Sequence, residues 1–214
     1  MTTKDRQPLL EEEGATPPEM GEEETLLALR LEESEGGEEF LIPPGLRPRT
    51  VARCIAFYSL YQFSVTYEPV ERTLLQLWET EIGAQTDALI RRFAAQLAQL
   101  TIKHLDTIDR LIEKYARKRA FHRTPLVDLA ILRLGAAEIL YLSDVPPAAT
   151  INEMVELAKI FGTEESPAFV NAVLDRIQWH RHEVPESEKV SSQWFSGASE
   201  VSSERSSSSA SQDC

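Results

Sequence analysis

Residues 143–177, which read SDVPPAATINEMVELAKIFGTEESPAFVNAVLDRI, decide the fold because they contain the start and stop signals of two short helices. Pro146 and Pro147 should end the preceding element, since proline lacks an N–H donor and restricts the residue before it. Thr150 is predicted as an N-cap, with Glu153 three residues later completing a capping box. The apolar face that follows at helical spacing comprises Ile151, Met154, Val155, Ala158 and Phe161.

A second helix is predicted directly after the first. Gly162 is the expected stop of the first helix, and Ser166 with Pro167 should cap and start the next. The second apolar face comprises Phe169, Val170, Val173, Leu174 and Ile177. Both faces need partners, which must come from the chain upstream.

The chain upstream shows the same helical period. One helix with a basic start has Val51, Ile55 and Tyr58 on one face, and a second runs from Pro69 to about Glu81. Further helices are predicted from Thr86, through Leu105 to Tyr115, and from Thr124 with Pro125. Because no alternating pattern competes, we predict an all-α fold of about seven helices.

The charge of the chain is concentrated at its two ends. The 214 residues carry a formal net charge of −13. Residues 1–46 hold 3 Lys or Arg and 13 Asp or Glu (−10), residues 180–214 hold 3 and 6 (−3), and residues 47–179 hold 16 of each. The composition of the ends is typical of disorder. We therefore predict a disordered acidic extension over 1–46, a helical domain over 47–180 and a disordered Ser-rich tail over 181–214.

Several classes of protein have little support in the sequence. Cys54 and Cys214 do not form a disulfide framework, so a reduced, cytoplasmic compartment is expected. No apolar run reaches the roughly 18 residues of a membrane span. Because no Gly-rich phosphate loop, nucleophile elbow or metal-ligand spacing is evident, we predict no enzyme activity, no catalytic residue, no cofactor and no metal site.

Arginines gather at the start of the first predicted helix. Arg47, Arg49 and Arg53 lie within residues 40–67, a stretch that contains no Asp or Glu and several aromatic residues, among them Tyr61. Cationic side chains beside aromatic stacking surfaces suit single-stranded RNA. The alternatives are a solvated helix end for the arginines and a core position for Tyr61.

A second basic cluster follows the fourth predicted helix. It comprises Lys114, Arg117, Lys118, Arg119, His122 and Arg123. A helix dipole favours cations near the C-terminus, but this accounts for one or two of them. The remainder are candidates for binding a ligand.

Several segments together carry a resemblance to a known family. INEMVELAKIFG and FVNAVLDRI, preceded by ILRLGAAEIL and SDVP, stand in one half of the chain, and RTVARCIAFYSLYQF stands in the other. In this combination and order they resemble the NusB family of bacterial transcription antitermination factors, over residues 47–179. The resemblance implies two packed helical subdomains. It also implies binding of boxA RNA together with NusE, a small-subunit ribosomal protein, in the antitermination complex of RNA polymerase.

The resemblance and the residue types together predict individual contacts. Those with RNA are assigned to Arg47, Arg49, Arg53, Tyr61, Tyr115, Lys118, Glu165 and Phe169. Those with NusE are assigned to Arg117, Arg119, Asp128 and Leu132. The local alternatives stay open, because Asp128 suits the first turn of any helix and Phe169 at helical spacing suits a core.

The predicted function is antitermination by assembly, with read-through by RNA polymerase, notably of ribosomal RNA operons. A helical protein-interaction module without RNA binding is the alternative, because Thr50 and Val51 stand where some relatives carry further arginines. A domain cut from a larger RNA-modifying enzyme is a third hypothesis. Whether the free protein forms a homodimer stays open.

Overall fold

The structure is a computed structural model that describes residues 42–80, 83, 86–116 and 123–192. In this part of the chain the α-helices are α1 (Pro48–Thr66), α2 (Val70–Trp78), α3 (Ala88–Lys103), α4 (Leu105–Tyr115), α5 (Leu126–Tyr141), α6 (Pro147–Phe161) and α7 (Ser166–Ile177). Short 3-10 helices follow at Gln178–Glu183 and Glu186–Glu188. The predicted all-α fold with about seven helices is confirmed.

Helix α5 forms the centre of the fold. It packs against α1, α3 and α4, and also against α6 and α7. Of its 16 residues 14 are buried, so its sequence has no polar stripe that would reveal an amphipathic helix. At Gly135 a Cβ would lie 2.7 Å from Met154 Cγ and 2.8 Å from Leu174 Cδ1, so glycine permits the close approach of α6 and α7. The helices before and after α5 are thus packed together through it.

The sequence predicted the end of α6 correctly, but its predicted N-cap, Thr150, is wrong. The helix ends at Phe161, with Gly162 at the C-cap. It begins at Pro147, so Thr150 lies within the helix rather than before it. The buried Thr150 hydroxyl donates to Glu138 Oε1 of α5 at 3.0 Å. A tertiary hydrogen bond therefore replaces the predicted capping box.

Ser166 and Thr124 were also predicted as N-caps, but neither side chain accepts a hydrogen bond from the first turn of its helix. Helix α7 begins at Ser166, but the Ser166 hydroxyl accepts a hydrogen bond from the Thr163 N–H at 2.9 Å. Helix α5 begins two residues after Thr124, whose buried Oγ1 has no hydrogen-bond partner among the described residues. A side-chain cap is present on α3, where Asp87 accepts from the Ile90 N–H at 2.9 Å.

The predicted tail begins too early, because residues 181–192 are part of the folded body. The Arg181 guanidinium donates to the carbonyl oxygens of Ile139 and Val145 at 2.9 Å, and to those of Leu142 and Ser143 at 2.8 Å. These carbonyls lie at or just beyond the C-terminal end of α5, where helix carbonyls lack partners of their own. The charged side chain of Arg181 therefore fastens the C-terminal segment to α5.

Further along, the same segment adopts an extended conformation beside the end of α5. The Val190 N–H donates to the Tyr141 carbonyl at 2.8 Å, and the Ser143 N–H donates to the Val190 carbonyl at 3.0 Å. Ser192 donates from its backbone N–H and its hydroxyl to the two oxygens of Asp144, each at 2.7 Å. Burial opposes ionisation of Asp144, but the hydrogen bonds from Ser192 outweigh it and lower the pKa of that carboxyl.

Some sequence predictions concern residues outside the described part of the chain. These are the acidic extension up to residue 41, the residues beyond 192, and Arg117, Lys118, Arg119 and His122. Among the described residues, no helix combines the length and the apolar character that a membrane span requires.

Candidate nucleic-acid interface

The N-terminal end of α1 carries the predicted arginine cluster. Arg47 is the N-cap in an extended conformation, and Pro48 occupies the first helical position, where its missing N–H costs nothing. The Thr50 and Val51 N–H groups donate to the Arg47 carbonyl at 2.9 and 3.0 Å. The local sequence thus starts the helix and places Arg47 at the N-terminal end of α1, where 81% of the Arg47 side chain is exposed.

Glu153 of α6 holds this end of α1. Its Oε1 accepts from Arg47 Nη2 at 2.6 Å, and its Oε2 accepts from the Thr50 hydroxyl at 2.7 Å. An ion pair with one exposed partner contributes at most about 1 kcal/mol. Arg47 can therefore exchange Glu153 for another anion at little cost.

Arg53 lies inside the protein, which argues against its predicted contact with RNA. Only 3% of the residue is exposed. Its guanidinium forms a bidentate ion pair with the fully buried Glu138. Nε donates to Glu138 Oε2 at 2.9 Å, and Nη2 donates to Glu138 Oε1. It also lies 5.5 Å from the centre of the Phe93 ring. Burial works to lower the pKa of Arg53, but the charge of Glu138 and its hydrogen bonds outweigh this and raise it.

Arg49 is the second arginine that reaches the surface. It is half-buried, and its carbonyl accepts from Arg53 Nη1 at 3.2 Å. Burial and then the positive charge of Arg53 lower the pKa of Arg49, against which Asp144 and other acids act. Since an ordinary arginine titrates far above neutral pH, Arg49 remains a cation.

Tyr61 occupies the core position that was its alternative. It is 1% exposed, and its ring centre lies 6.3 Å from that of Phe57. Phe57 in turn stacks on Phe161 of α6, with ring centres 4.7 Å apart. Tyr61 therefore does not present a stacking surface to a ligand.

Tyr115 ends α4 beside the C-terminal segment. Its hydroxyl lies 2.6 Å from His180 Nε2, and His180 Nδ1 lies 2.6 Å from Glu183 Oε2. Since a carboxylate only accepts, a neutral His180 donates from Nδ1 to Glu183 and accepts the Tyr115 hydroxyl at Nε2. The hydrogen bond from His180 lowers the pKa of Glu183. Lys114 Nζ lies 5.1 Å from the centre of the Tyr115 ring, so this ring lies next to a cation.

The first arginine cluster and Arg123, a described residue of the second basic cluster, lie towards opposite ends of α5. Arg53 pairs with Glu138, near the last turn of that helix, whereas the exposed Arg123 stands three residues before its first residue, Leu126. At 1.5 Å per residue, Glu138 lies about 18 Å along the axis from Leu126. The sequence predicted that the two regions act together, but the described residues do not form one compact basic patch.

The remaining predicted contacts divide between core and surface. Asp128 and Leu132 of α5 are fully buried, which argues against direct contact of either with a partner protein. Glu165 is exposed just before α7, and Phe169 is half-buried one turn into that helix. The described residues contain no group of three or more His, Cys, Asp or Glu side chains that could hold a metal ion.

Comparison with known sequences matches residues 50–178 to the NusB family, which is more than half of the chain. The chain belongs to the NusB family. A transcription antitermination protein NusB from Thermodesulfovibrio yellowstonii is 44% identical over 111 residues, which are 52% of this chain and 73% of the relative. The NusB protein of Myxococcus xanthus is 38% identical over 130 residues, or 60% of this chain and 93% of the relative.

Solved NusB structures share the fold. NusB from T. maritima is 32% identical, with a TM-score of 0.59 over 66% of this chain and 96% of that one. A chain from a complex of the antitermination factors NusB and NusE with double-stranded RNA is 27% identical, with a TM-score of 0.54 over 63% of this chain and 98% of that one. These similarities identify the helical body as a NusB fold.

The residues that sequence reasoning missed are the acidic partners of the NusB-like first helix. Glu138 is a lone acid among apolar residues on α5, which is the only sequence signal that it carries, and Glu153 was predicted only as part of a capping box. Arg181 was assigned to a tail, although it lies at the end of the folded body. Their partners are tens of residues away in the chain, so spacing could not reveal them.

Proposed function

We propose that this protein is a NusB-type transcription antitermination factor that binds boxA-type single-stranded RNA together with NusE and supports read-through by RNA polymerase, notably of ribosomal RNA operons. The observation that carries the proposal is the family match over residues 50–178, which includes α1 from Thr50 onward and begins directly after Arg49. The complex of a related NusB with NusE and double-stranded RNA supports both proposed partners.

The open end of α1 is the proposed start of the RNA surface. Arg47 is exposed and Arg49 is half-exposed, and both lie within one turn of the helix start. Arg53 contributes indirectly, because its ion pair with Glu138 fixes α1 on α5 and so sets the position of the other two arginines. Cations at a surface bind the phosphates of a single strand without reading its sequence.

The far end of the surface comprises Tyr115 and Arg123. A half-buried ring beside Lys114 suits stacking of an unpaired base. Because Arg123 and Glu138 lie towards opposite ends of α5, a strand that touches both regions must be extended over several nucleotides. Three basic residues outside the described part of the chain stay proposed contacts on sequence grounds: Lys118 with RNA, and Arg117 and Arg119 with NusE.

A titration of boxA-type RNA into the protein, with and without NusE, tests the proposal. With about three phosphates neutralised by Arg47, Arg49 and Arg123, log affinity should fall with log salt at a slope of about −2. The variant R47Q/R49Q should bind more weakly with a flatter slope. R72Q/K159Q removes two exposed cations from α2 and α6 and serves as the charge-matched control. Absence of RNA binding both with and without NusE would refute the proposal.

A helical module that binds NusE without RNA is the second candidate. It is favoured by the burial of Arg53 and by the pairing of Arg47 with Glu153, which together leave the arginine cluster smaller than the sequence indicates. This candidate predicts that NusE binds with unchanged affinity whether or not RNA is added. Coupled binding, in which each ligand raises the affinity for the other, would exclude it.

A further inference from the structure

A groove of about 300 Å³ runs along the exposed face of α3. Its polar residues are Arg92, Gln96, Gln99 and Lys103, and its apolar lining includes Leu100 and Val190. The four polar residues are spaced four, three and four apart, which places them on one face of the helix. From Arg92 to Lys103 this stripe is about 16 Å long.

The two cations of this groove have no carboxylate partner among the described residues. Arg92 and Lys103 are both exposed, and neither forms an ion pair with another described residue. By contrast, Arg47, Arg72 and Lys159 each have a carboxylate within 2.9 Å. No Asp or Glu is among the lining residues. The lining of the groove therefore carries two positive charges and no negative one.

The C-terminal segment forms the opposite wall of the groove. Gln96 Nε2 donates to the Ser191 carbonyl at 2.9 Å, and Ser192 is tied to Asp144 by two hydrogen bonds. Asp144 is near enough to Arg49 for each to shift the pKa of the other. The arginine end of α1 therefore lies near Asp144, the residue that holds the segment forming this wall of the groove.

We propose that this groove binds a further section of the RNA strand that begins at α1. Arg92 and Lys103 contact phosphates, and the exposed Gln99 amide hydrogen-bonds to base edges, as glutamine does with adenine. This inference rests on the proposed function. It extends the interface to α3 and to residues 190–192, which lie beyond the region that the family match covers.

RNA fits this groove better than an acidic peptide. The groove is shallow and open, and two amide side chains, Gln96 and Gln99, lie between the cations Arg92 and Lys103. Cations that track a backbone, with amides between them, are suited to a repeating chain of phosphates and bases. An acidic peptide, such as the Glu-rich stretch of residues 1–41, would pair with the two cations but leave the exposed Gln99 amide without a specific role.

The test compares the full chain with R92Q/K103Q in binding two single-stranded RNAs that share a boxA-type core, one of about 6 and one of about 16 nucleotides. For the long RNA, we expect the variant to bind about tenfold more weakly at low salt. The log–log salt slope should be shallower by about 0.7 for each cation, or about 1.4 together. Binding of the short RNA should change by less than about twofold. The control R72Q/K159Q removes the same charge elsewhere and should behave as the unaltered chain.

Each other outcome has a definite meaning. An equal loss of RNA affinity in R92Q/K103Q and in the control shows a general charge effect. It refutes the proposed RNA site in the groove, while the function proposed for α1 stands. Tighter RNA binding in R92Q/K103Q than in the control shows that the groove holds an acidic segment. This outcome also refutes the proposed RNA site in the groove. If the unaltered chain binds neither RNA, with or without NusE, both proposals fail. Thermal unfolding of each variant confirms that the substitutions leave the fold intact.

Discussion

Glu138 illustrates how a single residue changes the meaning of a sequence motif. The arginine at position 53 looks like a ligand-binding cation when only its neighbours in the chain are considered. Its partner is 85 positions away, on a helix whose other residues are almost all apolar. Spacing rules cover one helix turn or one hairpin, so they could not predict this pair. The exposed position of Arg47 could be predicted, because it precedes the proline that starts α1.

The substitution E138Q should lower the free energy of unfolding by about 3 kcal/mol or more. It keeps the shape of the side chain but leaves the buried Arg53 guanidinium without its counter-charge, and breaking a buried pair is strongly destabilising. Urea denaturation followed by circular dichroism measures the change.

A paired replacement separates the loss of the ion pair from the loss of packing. In R53M/E138L both charges are removed, so most of the lost stability should return. If E138Q costs less than about 1 kcal/mol, the pair does not stabilise the contact between α1 and α5.

His104 gives a pH dependence that can be tested. Its ring stacks on Tyr141 at 3.7 Å, and its buried Nε2 has no hydrogen-bond partner among the described residues. Burial, and then the charge of Lys103, lower the pKa of His104, against the opposing charge of Glu188. As the pH is lowered through the ordinary histidine pKa of about 6.5, the unfolded chain therefore binds more protons than the folded one. The free energy of unfolding thus decreases as the pH decreases.

The substitution H104F should remove part of this acid sensitivity, because phenylalanine keeps the stack without the ionisable group. The free energy of unfolding measured at pH 7.5 and at pH 5.5 should differ less in H104F than in the unaltered chain. H182Q, at an exposed histidine, should retain the full difference. An unchanged difference in H104F would show that other groups cause the acid sensitivity.

At the scale of elements, the sequence predicted where helices stop and start better than how they are capped. Gly162 ends α6, and prolines stand in the first turns of α1, α6 and α7, because these residues act through their own backbone. The hydroxyls of Thr150 and Ser166 can choose among several partners, and the packed structure decides which partner they take. Helix α5 was predicted from an apolar face, but it is buried on nearly all sides.

The C-terminal segment is the element that sequence composition misassigned. Its Ser, Glu and His content resembles a tail, yet Arg181 supplies four hydrogen bonds to the end of α5. We expect R181A to destabilise the protein by about 2–3 kcal/mol, because hydrogen bonds from a charged group are the stronger ones and some buried carbonyls lose their donors. R181K should rescue little, since an ammonium cannot reproduce the planar fork of arginine.

Hydrogen exchange distinguishes a local effect of R181A from general destabilisation. The amides of Val190 and Ser192 should lose protection far more than those in the middle of α1. Uniform loss across the protein would show instead that the segment has no separate role.

At the scale of the whole molecule, charge is distributed unevenly along the chain. The region 47–179 is neutral, whereas residues 1–46 carry a charge of −10 and lead directly into Arg47. A tethered acidic chain would compete with RNA for the same arginines. Deleting residues 1–44 should therefore tighten RNA binding at low salt, with a smaller effect at high salt, where charges are screened.

The matched control is a chain of the same length in which the glutamates of residues 1–44 are replaced by glutamines. It should bind RNA as tightly as the deletion variant if charge is the cause. Fluorescence anisotropy with labelled RNA measures both. Equal affinities of the intact chain and the deletion variant at low salt would rule out competition.

The position of Arg181 in the chain has a consequence for protein synthesis. Arg181 follows Ile139, whose carbonyl it binds, by 42 residues, so the donor leaves the ribosome 42 residues after its acceptor. At typical rates of elongation this delay lasts roughly 2 to 8 seconds. During that interval the carbonyl groups at the C-terminal end of α5 lack the donor that Arg181 provides. This end of α5 is therefore accessible to chaperones and proteases until residues 181–192 emerge.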